Sequence, residues 1–184
     1  LGNSITQGWG GNRSLVTYRP GKAMMDKVLG ENVWETAGIS GDRTQNLLWR
    51  IRYGNYNRCH PENVVIAIGV NNLIHGDNGE DTAEGIIAVA QEAVRQFPDS
   101  RIFVLGLFPV GREAQNPVRI QYNKTHEILN RHKWKGVTYI NPTSWFTDNQ
   151  GNIKEGLYSG DYIHFTAKGY QVAAEKIKEL IQSR

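Results

Sequence analysis

Apolar residues follow two alternating rhythms along this chain. Val64 to Ile68 and Ile102 to Leu107 are continuous apolar runs, as strands buried on both faces of a parallel sheet read. Between them, Thr82 to Phe97 carries Ile86, Val89, Ala90 and Ala93 at helical spacing and stops before Pro98. The same spacing predicts helices over Pro20 to Leu29, Arg43 to Tyr53, Val118 to Asn130 and Ala167 to Gln182. Gly30 and Gly54 end the first two, and Thr166 is placed to cap the last. Short strands are predicted over Asn32 to Thr36 and Val137 to Ile140. The residues ahead of Gly2 are expected to form one more buried strand. Only Leu1 of it is in this sequence, so upstream residues are expected to be missing; whether a removed export signal was among them is open, and with it the compartment, exported or cytoplasmic.

Strand and helix alternate from end to end, with no repeat, low-complexity tract or interdomain linker. That order predicts one α/β domain over residues 1–184, a three-layer α/β/α sandwich around a mostly parallel sheet. Ligands on such sheets bind beyond the carboxyl ends of the strands. The long connection from Asn141 to Tyr158 carries Trp145, Phe146 and Tyr158 and is expected to serve function.

Composition removes several alternatives. Of 184 residues, 39% are hydrophobic and 21% charged, with a formal charge of +3, as in an ordinary globular domain. No stretch reaches the roughly 18 apolar residues of a membrane span. The basic residues are scattered, with Arg50, Arg52 and Arg58 in one region and Arg131, Lys133 and Lys135 in another. They read as a solvated surface rather than a nucleic-acid groove. Cys59 is the only cysteine, which excludes an intrachain disulfide and suits a packed or inert thiol. His60, His75, His126, His132 and His164 show no zinc-ligand spacing, so no metal or cofactor is expected.

Four segments remain that carry chemistry. Gly2-Asn3-Ser4 ends the presumed first strand in a tight turn that would expose the Ser4 hydroxyl. A serine is a weak nucleophile until a base takes its proton. His164 is the candidate base, and Asp161, three residues earlier, can reach its other ring nitrogen. Gly38 to Gly41 offers the Gly41 N–H, and Gly69-Val70-Asn71-Asn72 offers the Asn71 amide. With the N–H of Ser4, these are oxyanion donors. Each segment alone also reads as an ordinary turn. Together they form a parts list for hydrolysing an ester. Trp9, Asn72 and Tyr162 are candidate pocket residues, and Trp145, Tyr158 and Tyr162 offer flat faces that a sugar ring would stack on.

These segments resemble the SGNH hydrolases, or GDSL-type esterases and lipases, over nearly the whole chain. Within them the match is nearest to the catalytic subunits of the intracellular platelet-activating-factor acetylhydrolases. Gly41 to Arg50, Gly69 to Asn72, Val104 to Pro109 and Asp161 to Phe165 carry it. The resemblance implies a flavodoxin-like fold, no metal, and acyl-enzyme chemistry on short acyl esters of small molecules or carbohydrates. It assigns Ser4 as nucleophile, His164 as base and later acid, Asp161 as its orienting group, and Ser4, Gly41 and Asn71 as the oxyanion hole. It also implies a homodimer. Asn3 departs from the family's usual Asp, a position outside the triad. Asn72 stands where many members have Asp, and the acetylhydrolase subgroup shares the Asn. A lysophospholipase or thioesterase, or a non-catalytic carbohydrate-binding relative, are the alternatives on the same scaffold.

Overall fold

The computed structural model describes residues 1–10 and 16–183. In chain order these form α1 (Ser4–Gln7), α2 (Lys22–Leu29), α3 (Thr44–Tyr53), a 3-10 turn (Tyr56–Arg58), β1 (Asn63–Ala67), α4 (Val70–Ile74), α5 (Gly79–Gln96), β2 (Arg101–Gly106), α6 (Val118–Arg131), β3 (Val137–Tyr139), α7 (Thr143–Phe146) and α8 (Ala167–Gln182). The strands lie parallel in the order β1-β2-β3. Gly2 makes parallel bridges to Ala67 on one side and Gly38 on the other, which carries the sheet beyond β1. Helices α3, α5 and α6 pack in one layer, while α2 packs on α8 in another. The result is the three-layer α/β/α sandwich with a parallel centre that the strand–helix alternation predicts.

Burial explains which segments became strands. Val64, Ile66 and Ala67 are buried, as are Ile102, Phe103, Val104 and Leu105, so β1 and β2 have buried residues on both faces. The predicted strand over Asn32 to Thr36 does not form. Asn32 turns the chain at φ +62°, and Val33 is left 69% exposed. Trp34 is held instead by its side chain, its Nε1–H donating to Asp26 Oδ1 at 3.2 Å under the Lys22 ammonium. Helix α5 starts earlier than its apolar spacing suggested, because Asn78 Oδ1 accepts the Asp81 N–H at 2.7 Å. Glu80 and Asp81 in the first turn suit the positive end of the helix.

The long connection before α8 turns its aromatic side chains inward. Phe146 stacks on Phe165 at 4.6 Å, and Phe108 and Tyr158 meet them edge-on. The Tyr158 hydroxyl donates to the Pro109 carbonyl at 2.7 Å. Tyr158 is therefore a core residue and not a face for a sugar. Cys59, expected to be a packed or inert thiol, is exposed and so is not packed. Among the described residues no helix is long and apolar enough to cross a membrane.

His126 is buried between α6 and the sheet. Its Nε2–H donates to the Leu107 carbonyl at 2.9 Å and its Nδ1 accepts from the Tyr139 hydroxyl at 2.5 Å. Burial lowers its pKa to about 4, against the Leu107 hydrogen bond, which works the other way. The unfolded chain binds a proton near ~6.5, while the folded imidazole stays neutral to about 4. This site therefore favours folding fully above the unfolded value and loses that contribution as pH falls between the two. A loss on the order of 3 kcal/mol is expected over that window. Urea titrations at stepped pH check it: His126→Gln should flatten the stability profile between these pH values.

Candidate active site

Ser4 stands where the sheet gives way to a helix. Asn3 is buried, and its Oδ1 accepts the Ile5 N–H at 3.0 Å, capping α1. An amide oxygen does this as well as a carboxylate, so the Asn at this position keeps the turn. Ser4 is then the first helical residue. Its N–H has no acceptor among the described residues, as expected at a helix start. Tyr170 on α8 locks the turn from below, its hydroxyl donating to the Ile5 carbonyl at 2.8 Å.

The loop from Thr36 to Asp42 lies against α1. Thr36 Oγ1 donates to the Thr6 carbonyl at 2.8 Å, and Ser40 N–H donates to Gln7 Oε1 at 2.6 Å. Between them Gly38 touches the backbone of α1, where a Cβ would run into Gln7 N and Thr6 C. Gly41 follows at φ +82°, a left-handed conformation that suits glycine, with open space where a side chain would be. Its N–H also has no acceptor among the described residues. The Asn71 Nδ2 donates one hydrogen to the Asp42 carbonyl at 2.8 Å, which leaves the other and fixes the amide beside Gly41.

Arg50 ties these pieces together. Its Nε donates to Asp42 Oδ2 at 2.8 Å and its Nη2 lies 2.7 Å from the same oxygen. Nη1 donates to the Ala37 carbonyl at 3.0 Å, and Nη2 to the Gly2 carbonyl at 3.1 Å. The sequence suggested a solvated arginine here. Instead the side chain is largely buried, because two backbone carbonyls and one carboxylate converge on it.

His164 and Asp161 form a closed turn. His164 Nδ1 lies 2.6 Å from Asp161 Oδ2, and Asp161 Oδ1 accepts the N–H groups of Ile163 at 2.9 Å and His164 at 3.0 Å. Ser159 Oγ lies 2.8 Å from the same oxygen. Partial burial works to raise the Asp161 pKa. The hydrogen bonds from the His164 ring, the His164 and Ile163 N–H groups and Ser159 outweigh it and hold the carboxyl well below the usual carboxylate range. Across 160 residues of sequence, His164 Nε2 lies 2.8 Å from Ser4 Oγ. With Nδ1–H donating to the carboxylate, Nε2 is left free to accept the serine proton.

The side chains open onto a cavity of about 330 Å³ lined by Ser4, Gln7, Gly8, Tyr18, Ser40, Ser159, Asp161 and His164. Sequence reasoning missed Gln7, Tyr18, Ser40 and Ser159. It also placed residues in the pocket that the structure puts elsewhere. Trp9 is buried with its ring 4.7 Å from that of Tyr170, in the core beneath α1. Asn72 is buried too. Its Oδ1 accepts the Thr44 N–H at 2.9 Å, and its Nδ2 donates to Asp77 Oδ2 at 2.8 Å, so it fastens the start of α3. Tyr162 does not line the cavity; its φ is +51°, and the Arg112 guanidinium lies over its ring at 5.9 Å. Among the described residues, no group of three His, Cys, Asp or Glu side chains is placed to hold a metal ion.

The chain belongs to the GDSL-like Lipase/Acylhydrolase family, whose model matches residues 1–172. The human platelet-activating factor acetylhydrolase IB subunit alpha2 is 33% identical over 147 residues, 78% of this chain and 62% of that protein. The alpha2 subunit of Gallus gallus is 31% identical over 170 residues, 91% of this chain and 70% of that protein. The chain thus spans 62% of the length of the human relative. Among solved structures, a GDSL-like lipase from Bacteroides thetaiotaomicron superposes with a TM-score of 0.71 at 22% identity, covering 98% of this chain and 85% of its own. An acetylxylan esterase from Geobacillus stearothermophilus superposes with a TM-score of 0.74 at 16% identity, covering 100% and 92%. At these identities the likeness is one of fold.

Breaking the Arg50–Asp42 contact should be costly, because it strands a buried charge. Arg50→Met is expected to lose about 3–5 kcal/mol of stability, read as a lower urea midpoint. Lys124→Met, which removes the exposed Lys124–Glu80 pair at 3.4 Å, should change it by less than about 1 kcal/mol.

Proposed function

We propose that this chain is a serine esterase that removes short acyl groups, acetyl above all, from hydroxyl-rich acceptors, with residues 1–184 acting as a single domain. The observation that carries the reading is the Asp161–His164–Ser4 relay opening onto a small cavity walled by polar side chains. Ser4 Oγ attacks the ester carbonyl while its proton passes to His164 Nε2. Asp161 holds the ring in the tautomer that accepts it and stabilises the imidazolium. The N–H groups of Ser4 and Gly41 and the remaining hydrogen of the Asn71 amide would hold the oxyanion. The intermediate collapses, and the alcohol leaves with the proton from His164. Water then attacks the acyl-enzyme, His164 takes its proton, and the acid is released as Ser4 is restored.

The cavity lining supports the substrate class. Among the described residues no aliphatic side chain lines it, and a cavity of about 330 Å³ suits a short acyl group better than a long one. Hydroxyl and amide groups at Gln7, Tyr18, Ser40 and Ser159 suit an acceptor rich in hydroxyls. The fold likeness to an acetylxylan esterase agrees with this.

Ser4→Ala should abolish the burst and turnover with p-nitrophenyl acetate and remove labelling by a fluorophosphonate; turnover surviving that substitution would overturn the reading. Across a series of p-nitrophenyl esters, kcat/KM should fall steadily from acetate onward. A maximum at about eight carbons or more would favour a lipid substrate instead.

Asp161→Asn should cost about 10⁴ in kcat with little change in KM. The turn keeps Asp161 ionised well below neutrality. Its contribution is present above the unfolded carboxylate value near ~3.9 and is lost only as pH falls through the lower folded value. The Asn variant should therefore be impaired to a similar degree at about pH 5 and about pH 8, a comparison a pH–rate profile makes directly.

A further inference from the structure

The catalytic cavity ends at the Asp161 turn, but the surface beyond that turn is hollow as well. An open groove of about 640 Å³ lies there, lined by Arg112, Glu113, Gln115, Gln150, Asn152 and Ile153. Tyr162 joins the two. It follows Asp161 directly, its carbonyl accepts the Gly111 N–H at 3.0 Å, and its ring lies under the Arg112 guanidinium at 5.9 Å.

The groove has a built floor. Its two walls are the segment after Gly111 and the segment around Gly151. Arg119 on α6 is only 4% exposed and has no carboxylate partner among the described residues. Its Nε donates to the Val110 carbonyl at 2.7 Å, and its Nη2 reaches the carbonyls of Gly111 at 3.3 Å and Gly151 at 3.4 Å. One buried guanidinium therefore links both walls. Above it, Ile153 N–H donates to the Arg112 carbonyl at 2.9 Å and Ala114 N–H to Asn152 Oδ1 at 3.1 Å. Burying a charge on backbone carbonyls alone is costly, and here it holds the two walls in register.

We propose that this groove is a second acceptor subsite, which binds sugar residues of an acetylated oligosaccharide distal to the ester held at Ser4. The proposal rests on the esterase reading above. Its lining is three carboxamides, one guanidinium and one carboxylate, planar donor and acceptor groups that match vicinal hydroxyls in pairs. The opposite charges of Arg112 and Glu113 cancel, which suits a neutral sugar. Only Ile153 is aliphatic.

The test compares partially acetylated xylo-oligosaccharides of several residues, an acetylated xylose monosaccharide, and p-nitrophenyl acetate. The wild type should show kcat/KM for the oligosaccharide at least about tenfold above that for the monosaccharide, carried by KM. Gln115→Ala/Gln150→Ala, and separately Arg112→Gln, should erase most of that advantage and lower the ratio of oligosaccharide to aryl acetate turnover by about tenfold. Equal turnover of the two sugar substrates by the wild type, or variants that lower all three substrates alike, would overturn the subsite. Calorimetry with unacetylated xylo-oligosaccharide and the Ser4→Ala protein reads the groove by itself. Binding that the Gln115→Ala/Gln150→Ala pair abolishes supports the groove even if the esterase reading fails, and absence of binding overturns it even if that reading stands.

Discussion

The site depends on one guanidinium. Arg50 lies beneath the switch from sheet to helix and takes the carbonyls of Gly2 and Ala37 together with the Asp42 carboxylate. Those groups belong to the segment that leads into Ser4 and to the loop that carries Gly41. Neither segment forms a continuous strand: Gly2 is held by isolated bridges to Ala67 and Gly38. The planar fork of arginine supplies what the sheet does not, with donors fixed in direction and a charge matched by Asp42.

That arrangement puts the electrostatics of the site into the backbone. The N–H groups of Ser4 and Gly41 remain without acceptors among the described residues because the turn geometry leaves them so, the first at a helix start and the second in a left-handed glycine. Donors fixed this way need no rearrangement when charge develops on an oxygen. Asn71 joins them by spending one hydrogen on Asp42, so that its amide is oriented by the same loop that Arg50 holds.

Much of the fold was legible in the sequence because burial leaves a periodic signature. The runs at Val64 and Ile102 became central strands, and the helical spacing of Ile86, Val89 and Ala93 became the covered face of α5. The Asn32 to Thr36 segment misled because only one of its two apolar residues is covered: Trp34 packs against the core, while Val33 points to water. Ser4, Asp161 and His164 were legible as motif residues, whereas the wall of the cavity was not. Gln7, Tyr18, Ser40 and Ser159 are ordinary residues of turns and a short helix, and only the tertiary arrangement gathers them. Trp9 and Tyr158 misled in the opposite sense: an aromatic side chain beside a motif looks like a binding face, and both are core. Arg50 read as surface because nothing local reveals that distant carbonyls will converge on it.

The Asp161–His164 turn is complete in itself, its carboxylate held by the two amides that follow it. Among the described residues, one bond, between Nε2 and the Ser4 hydroxyl, crosses from this turn to the first residues of the chain. The Asp161–His164 turn and Ser4 thus meet at one joint, with Tyr170 gripping the carbonyl of Ile5 as the nearby pin. A shift of one against the other by the width of an atom would idle the proposed esterase while leaving every charge and every cap in place.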